Sequence, residues 1–254
     1  MIKKIWILWL QGWDSAPDLV RLCLESWEYH NPDWEIHMLD LKNIENYVDI
    51  ASDISDWGDI TPTGFSDVVR LYLLKEHGGV WVDSTCFCNR PLDDWLPEHL
   101  NESFAFQLSD VKVASWFIAA EKDSYVIDRW KDATLDYWKE RLAGNDVLND
   151  EYRWVHILFL RLYKSDPKFR EIYDNWNHIN ADWMNKNYRA NGPHFFAPYE
   201  RHLNSVADST VMERVDSKVD PLYKLTNRTP IDWNIPNSSI RYLAKSIDLE
   251  INIE

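Results

Sequence analysis

Residues 66–85, SDVVRLYLLKEHGGVWVDST, constrain the fold of this chain more than any other stretch. Apolar residues recur at helical spacing until Leu74, which predicts a helix that starts at Thr61 or Thr63. Gly78 and Gly79 end this helix, and the apolar run that follows predicts a strand at residues 80–83. A helix that leads directly into a buried strand is typical of an α/β sheet.

The rest of the sequence continues this alternation of strands and helices. We predict strands at residues 5–10, 34–39, 104–107 and 116–120, and later helices at 125–141, 152–163, 169–176 and 240–247. Asp14 or Ser15 is expected to cap the first helix, with Pro17 in its first turn. Residues 142–150 are the best linker candidate, and residues 177–238 are expected to be rich in loops. The pattern predicts an α/β fold in one domain.

Composition argues against several classes of function. The formal net charge of -15 disfavours nucleic-acid binding, which needs clustered Lys and Arg, and it disfavours attraction to an anionic membrane. No stretch approaches the roughly 18 apolar residues of a membrane span. The N-terminal apolar run breaks at Gln11 without a small-residue cleavage site, so a buried strand is favoured over a signal peptide.

The cysteines indicate the redox compartment of the protein, and the tryptophans indicate how its core or its binding surfaces are built. Three cysteines without a signal peptide fit a reducing cytoplasm. Cys86 and Cys88 are expected to be core thiols, because no second pair completes a zinc site. The 15 tryptophans have two interpretations. Extra core packing comes first, and flat surfaces that bind sugars come second.

Asp67 and Arg70 are the first candidate site residues. They are three apart and therefore share a face of the predicted helix. One interpretation is a structural ion pair in which each side chain satisfies the other. The second is that both face a ligand rich in hydroxyls or phosphates. A carboxylate accepts hydrogen bonds from hydroxyls, and a guanidinium can donate two parallel hydrogen bonds to a phosphate. The pair alone leaves both open.

Asp83 is the second candidate, because ligands of open α/β sheets gather beyond the carboxyl ends of strands. With the hydroxyl of Thr85 it offers oxygen ligands suited to Mg²⁺ or Mn²⁺. Such an ion would bridge the protein to a diphosphate. The alternative is a capping or turn aspartate.

Taken together, these motifs resemble a known family. The order Ser66-Asp67-x-x-Arg70, Gly78-Gly79-x-Trp81-x-Asp83 and then Ser84-Thr85 resembles the signature of the capsular polysaccharide synthesis family. More broadly, it is similar to the family 32 sugar transferases. The segments IWILWLQGW, CLESWEYHNPDWE, SWFIAAEK and YKLT extend the resemblance to about Arg228.

The resemblance implies a GT-A-like transferase that uses a nucleotide-diphosphosugar, with a UDP-sugar favoured. By position, Asp67 and Arg70 would contact the donor sugar and Asp83 the metal, or the ribose and diphosphate. Ser84 would lie on the donor side. One domain, residues 1–254, would combine a nucleotide-sugar-binding α/β core at 1–120 with a helical, loop-rich acceptor side at 121–254.

Further residues receive roles by resemblance, each with a simpler alternative. Trp9 would lie near the nucleotide base, or it is a core tryptophan. Lys224 would meet the diphosphate, or it is a surface lysine. Ser115 and Trp116 fall at a strand end near the expected acceptor region. His156 would join them, or it is a core histidine.

Thr85 departs from related folds, which usually carry a second aspartate at this point. One carboxylate holds a divalent cation less tightly than two, so the expected Mn²⁺ or Mg²⁺ is in question. His194 and His202 lie in the loop-rich segment, where a lid over the donor is expected.

The resulting hypothesis is a cytoplasmic, bacterial glycosyltransferase of surface or capsular polysaccharide assembly. Its acceptor would be a glycan or a lipid-linked glycan, reached at the inner face of the membrane, and transfer would retain the anomeric configuration. One alternative is a protein that binds nucleotide-sugars without turnover, because Thr85 replaces an acid. The other is a carbohydrate-binding module, which would explain the tryptophans but not Asp67, Arg70 and Asp83.

Overall fold

The computed structural model describes residues 2–58, 60–109, 111–145, 153–181, 203–204, 206–207, 209–225 and 230–251. The strands in these ranges are β1 (Lys4–Leu8), β2 (Glu35–Leu39), β3 (Gly79–Asp83), β4 (Cys86–Cys88), β5 (Ser103–Ser109), β6 (Lys112–Ala120) and β7 (Leu222–Lys224). The helices are α1 (Asp18–His30), α2 (Pro62–His77), α3 (Leu96–His99), α4 (Tyr125–Leu142), α5 (Trp154–Ser165), α6 (Pro167–Asp174), α7 (Ser209–Asp216) and α8 (Ser239–Lys245).

Two compact units share the chain, and each is assembled from separate segments. Unit 1 comprises Met1–Trp13, Glu35–Val82 and Glu98–Ile179. Unit 2 comprises Asp14–Trp34, Asp83–Pro97 and Asn180–Glu254. The expectation of one domain divided near residue 120 stays a prediction.

Unit 1 is built on a mixed sheet of order β2-β1-β3-β6-β5. β1 and β2 pair in parallel, whereas β6 runs antiparallel to both β3 and β5. Helices α2 and α4 pack on each other, as do α4 and α5, and α5 also contacts β6. One apolar cluster joins the sheet to these helices, and Trp6, Trp81, Trp130 and Phe159 lie in it with almost no exposure.

Helix α2 follows the predicted capping chemistry. Thr61 is its N-cap, and the Thr61 hydroxyl accepts a hydrogen bond of 3.1 Å from the backbone N–H of Gly64. Proline in the first turn fits this start, since its missing N–H has no helical partner there. Gly78 and Gly79 end the helix with φ of 66° and 94°, which L side chains rarely adopt.

Unit 2 has a smaller sheet in which β4 pairs antiparallel with β7. Helix α1 packs on β4, and the indole N–H of Trp27 donates to the carbonyl of Cys86 at 2.8 Å. The apolar cluster of this unit joins α1 and β7 to α8. Cys86 and Cys88 are fully buried free thiols, in keeping with the predicted core role.

The structure corrects the sequence interpretation in three places. Strand β6 begins at Lys112 and not at residue 116, so Ser115 and Trp116 lie inside this strand and not at its end. Asp14 and Ser15 do not cap α1; they form a 3₁₀ turn, and Pro17 is the N-cap with extended φ and ψ of −60° and 156°. A residue before proline is itself driven toward extended geometry, so the helix starts only after Pro17. The stretch expected to be loops also contains α7 and β7.

Some expectations concern residues that the structure does not describe. Residues 146–150 of the predicted linker lie outside the described ranges. Across the described ranges, no helix has the length and apolarity needed to cross a bilayer.

Candidate functional site

Asp67 and Arg70 form a buried ion pair on α2 in unit 1. Asp67 is 5% exposed and Arg70 is 2% exposed, and Nη1 of Arg70 lies 2.7 Å from Oδ1 of Asp67. The Arg70 guanidinium also lies 5.0 Å from the centre of the Trp81 ring on β3, within cation–π range. Breaking such a pair would leave an uncompensated buried charge.

Several other contacts fix the Arg70 guanidinium to the protein. Its Nε donates to the carbonyl of Ser66 at 3.1 Å, and its Nη2 donates to the Ser66 hydroxyl at 3.0 Å. Its Nη1 also donates to the carbonyl of Ser115 on β6 at 2.6 Å. Arg70 therefore orients Asp67 whatever else it does, and its direct contact with a donor sugar stays a prediction.

The Ser115 carbonyl thus positions the ion pair. Trp116, beside it on β6, is 6% exposed and stacks on Phe106 with ring centres 5.3 Å apart. This packing is that of a core residue. The acceptor-side roles of Ser115 and Trp116 stay predictions.

His156 lies on α5, which packs against β6 in the same unit. Its pKa is lowered from 6.5 to about 4, mainly by burial and also by the positive charges of Lys112, Arg70 and Arg153. The imidazole is therefore neutral near pH 7. Within the described ranges its Nδ1 is buried and has no hydrogen-bond partner. A neutral ring with an unpaired nitrogen near Arg70 is compatible with the predicted acceptor-side role, which the structure leaves untested.

Trp9 directly follows β1, at its carboxyl end. Its backbone N–H donates to the carbonyl of Leu39 at 2.9 Å, which fixes the backbone of Trp9 beside the end of β2. The indole is partly buried, and its Nε1 finds no hydrogen-bond partner among the residues described. Its predicted place near a nucleotide base stays a prediction.

Unit 2 contains the second group of predicted site residues. Asp83 ends β3, and Ser84 and Thr85 form the partly exposed turn before β4. The Lys224 ammonium donates to Oδ2 of Asp83 at 2.8 Å and to the Thr85 hydroxyl at 2.7 Å. One ammonium therefore binds both oxygens that the sequence predicts as metal ligands.

Backbone pairing holds Lys224 in this place. In the antiparallel register of β4 and β7, Lys224 is opposite Cys86. The N–H of Leu225 donates to the carbonyl of Thr85 at 2.8 Å. The lysine is thereby fixed on the turn that follows Asp83, and its side chain is 21% exposed.

These residues do not fit a divalent cation well. The donor set consists of one carboxylate and one hydroxyl, and the same ammonium binds both. Mg²⁺ is usually bound through one or two carboxylates together with substrate phosphates and water, so the feature that disfavours it here is the bound ammonium, which repels a second cation. The described residues contain no cluster of three or more His, Cys, Asp or Glu that could hold a metal ion. The expected Mn²⁺ or Mg²⁺ stays a prediction without support from this geometry.

Sequence reasoning did not single out Ser66 and Trp81 as site residues, although both contact Arg70. The i, i+4 spacing of Ser66 and Arg70 on one helix was an available signal for the first. No sequence signal joins Lys224 to Asp83, because the pairing strands have three residues each. His194 and His202, expected on a lid, lie outside the described residues.

Comparison with known proteins identifies relatives of the chain. The O-glycosyltransferase braB of Annulohypoxylon truncatum is 30% identical over 158 residues, which is 54% of this chain and 38% of that protein. The glycosyltransferase afumC of Aspergillus fumigatus is 28% identical over 160 residues, which is 54% of this chain and 40% of that protein. The chain thus spans well under half the length of these curated relatives.

The solved structure of the apo-form glycosyltransferase GlyE of Streptococcus pneumoniae is similar in fold. It matches 98% of this chain and 61% of its own, at 11% identity and a TM-score of 0.51. This likeness confirms the predicted α/β, GT-A-like fold. The profile of the capsular polysaccharide synthesis proteins matches residues 1–242. The chain therefore belongs to the capsular polysaccharide synthesis protein family.

Proposed function

We propose that this chain is a glycosyltransferase that moves a sugar from a nucleotide-diphosphosugar to an acceptor hydroxyl. The observation that carries the proposal is the fixed carboxylate of Asp67. It is buried, and the Arg70 guanidinium orients it through the carbonyl of Ser115 and both oxygens of Ser66. A carboxylate held in this way can accept hydrogen bonds from sugar hydroxyls without first losing conformational freedom.

The proposed reaction exchanges two bonds at the anomeric carbon. The bond from this carbon to the β-phosphate oxygen breaks, and its electron pair stays on the phosphate. The acceptor oxygen forms the new bond, and its proton passes to the departing diphosphate. Transfer on the same face of the sugar would give the retention that the family resemblance implies.

The proposed residue roles are those that the family resemblance implies. Asp67 would hold the donor sugar, Trp9 would contact the base, and Asp83, Ser84 and Lys224 would bind the diphosphate and ribose. His156, with Ser115 and Trp116, would serve the acceptor side. A UDP-sugar is the proposed donor.

The proposed acceptor is a glycan or a lipid-linked glycan of a surface polysaccharide. Family membership supports this class, and the relatives named as O-glycosyltransferases support a hydroxyl oxygen as the accepting atom. The proposed place of action is the cytoplasmic side of the membrane, with the whole chain working as one transferase domain.

A donor panel tests the proposal. The purified chain is incubated with UDP-glucose, UDP-galactose, UDP-N-acetylglucosamine and GDP-mannose, and release of the nucleoside diphosphate is measured with and without oligosaccharide acceptors. We expect release from one UDP-sugar, faster with an acceptor. Asp67→Asn should reduce the rate by about 100-fold or more, because it removes the charge that Arg70 orients.

Asp136→Asn is the matched control, since Asp136 is an exposed carboxylate on α4 in the same unit. This variant should keep the rate of the unaltered chain. Nucleotide binding with no release from any donor would favour a binding protein without turnover. Binding of free glycans without nucleotides would favour a carbohydrate-binding module.

A further inference from the structure

The ammonium of Lys224 lies where a divalent cation is expected in a transferase of this kind. Its contacts at 2.8 Å with Asp83 Oδ2 and 2.7 Å with Thr85 Oγ1 are those of strong hydrogen bonds. Both are charge-assisted because the donor is an ammonium, and the contact with Asp83 is also an ion pair. We infer that Lys224 takes the place of the metal ion, and that this chain binds the donor diphosphate without a divalent cation. The inference rests on the proposed function.

Charge balance supports this substitution. A dication bound by two carboxylates leaves a group with no net charge, and so does one ammonium bound by one carboxylate. Thr85 then has a clear physical role. A second aspartate at this position would leave one negative charge uncompensated beside an incoming diphosphate, whereas a hydroxyl binds the ammonium at no cost in charge.

Backbone contacts also hold Lys224 in this position. Pairing with β4 and the hydrogen bond from Leu225 to Thr85 fix its backbone, so the cation is present before the ligand arrives. A compact ammonium is a point charge that binds phosphate readily. The positive charge of Lys224 also acts on the buried Cys23 thiol. Burial raises the pKa of this thiol strongly, and the Lys224 ammonium opposes that rise.

The chemical consequence concerns the leaving group. As the bond to the sugar breaks, negative charge grows on the β-phosphate. A metal ion in this position would offset that charge as a Lewis acid. Here the Lys224 ammonium offsets it by electrostatic attraction and hydrogen bonding, while Asp83 and Thr85 hold the ammonium in place.

Calorimetric titration tests the inference without relying on turnover. UDP, GDP and UMP are titrated into the full chain in EDTA and again in Mn²⁺. We expect the dissociation constant for the preferred diphosphate to change less than twofold between the two buffers. Lys224→Gln should weaken diphosphate binding at least tenfold and leave UMP binding within about twofold.

Lys245→Gln is the matched control, because Lys245 is an exposed lysine at the end of α8 in the same unit. It should bind the diphosphate as the unaltered chain does. Lys224→Arg keeps the charge and should retain metal-free binding, which covers the case in which Lys224→Gln does not fold. A double variant, Thr85→Asp with Lys224→Gln, should bind the diphosphate only in Mn²⁺.

The outcomes separate the two proposals. Binding by the unaltered chain that requires Mn²⁺ would overturn the lysine assignment and leave the transferase proposal in place. Unchanged affinity in Lys224→Gln would overturn it as well. If the double variant binds the diphosphate equally well with and without Mn²⁺, then a metal ion bound by Asp83 and an aspartate at position 85 does not replace the Lys224 ammonium, and the inference is wrong. A folded chain that binds no nucleoside diphosphate in either buffer would overturn the proposed function itself.

Discussion

Nη1 of Arg70 lies 2.6 Å from the carbonyl oxygen of Ser115, a residue 45 positions further along the chain. This bond joins the middle of α2 to β6. The same nitrogen contacts Asp67 at 2.7 Å. One guanidinium group thus connects a candidate catalytic carboxylate to the central sheet of unit 1, so stability and activity should depend on the same side chain.

Arg70→Lys should show this dependence. A lysine keeps the charge but has no planar fork, so it cannot bind Ser66, Ser115 and Asp67 together. We expect a loss of about 2–4 kcal/mol of unfolding free energy. Denaturant unfolding followed by circular dichroism measures the change. Arg129→Lys, in a pair whose arginine is 40% exposed, should cost less than about 1 kcal/mol. Equal losses in the two variants would contradict the anchoring role.

Gly79→Ala should be among the most damaging small substitutions in unit 1. A Cβ at this position would lie 2.6 Å from the carbonyl oxygen of Lys4, and the backbone φ is 94°. The clash involves backbone atoms of a buried strand, so relief would require the sheet to move. We expect a loss above about 4 kcal/mol, or no folded protein.

Gly144→Ala isolates the contribution of backbone strain. Its φ of 85° is similar, but a Cβ would meet nothing within 4 Å. The expected loss is only about 1–2 kcal/mol. Thermal unfolding compares the two variants. Similar melting temperatures would show that a small movement of the backbone at Lys4 relieves the clash at position 79.

His156 should make stability depend on pH. Its folded pKa is lowered from 6.5 to about 4, first by burial and then by Lys112 and Arg70. Between these values the unfolded chain takes up a proton that the folded chain does not, so stability falls as pH falls from 6.5 toward 4. The contribution reaches at most about 3 kcal/mol at pH 4.

His156→Gln removes this titration. Urea unfolding at steps between pH 7.5 and pH 4.5 should show a shallower loss of stability in the variant than in the unaltered chain. Other histidines, such as the half-buried His30 with a pKa near 4, contribute equally to both curves and cancel in the comparison. Parallel curves would contradict the lowered pKa of His156.

The cysteines should be unreactive in the folded protein. Cys23, Cys86 and Cys88 are buried free thiols, and burial raises the pKa of Cys88 to about 12. Thiolates are the reactive species, so the native chain should react slowly with a chromogenic disulfide at pH 8. In guanidinium chloride, all 3 cysteines should react at once. Rapid reaction of a native thiol would show that unit 2 opens readily.

The part of the fold that local chemistry specifies could be predicted from the sequence. Helix α2 begins at a Thr61 cap and ends at a glycine pair, and β3 follows as an apolar run, as the motif indicated. The prediction of a helix start was wrong where two residues close together could each determine it. Ser15 is a good cap residue, yet Pro17 determined where α1 begins.

The candidate site shows the same division. Asp67 and Arg70 are near neighbours on one helix, so their spacing predicts their pairing. Lys224 is 141 positions from Asp83, and three-residue strands bring them together. Strands this short carry too little periodicity to be recognised, and register between distant strands depends on the packed core. The resemblance therefore assigned Asp83 and Lys224 to the same diphosphate, but the sequence did not predict that the two side chains contact each other.

The chain crosses between its two units five times, at residues 13–14, 34–35, 82–83, 97–98 and 179–180. Neither unit is encoded by one continuous stretch, and one junction separates Val82 from Asp83 within β3. Recombination with a relative therefore cannot exchange one unit as a block without splitting the other. A chimaera joined to a relative at a single crossover divides at least one unit between two parents, so such chimaeras should rarely fold.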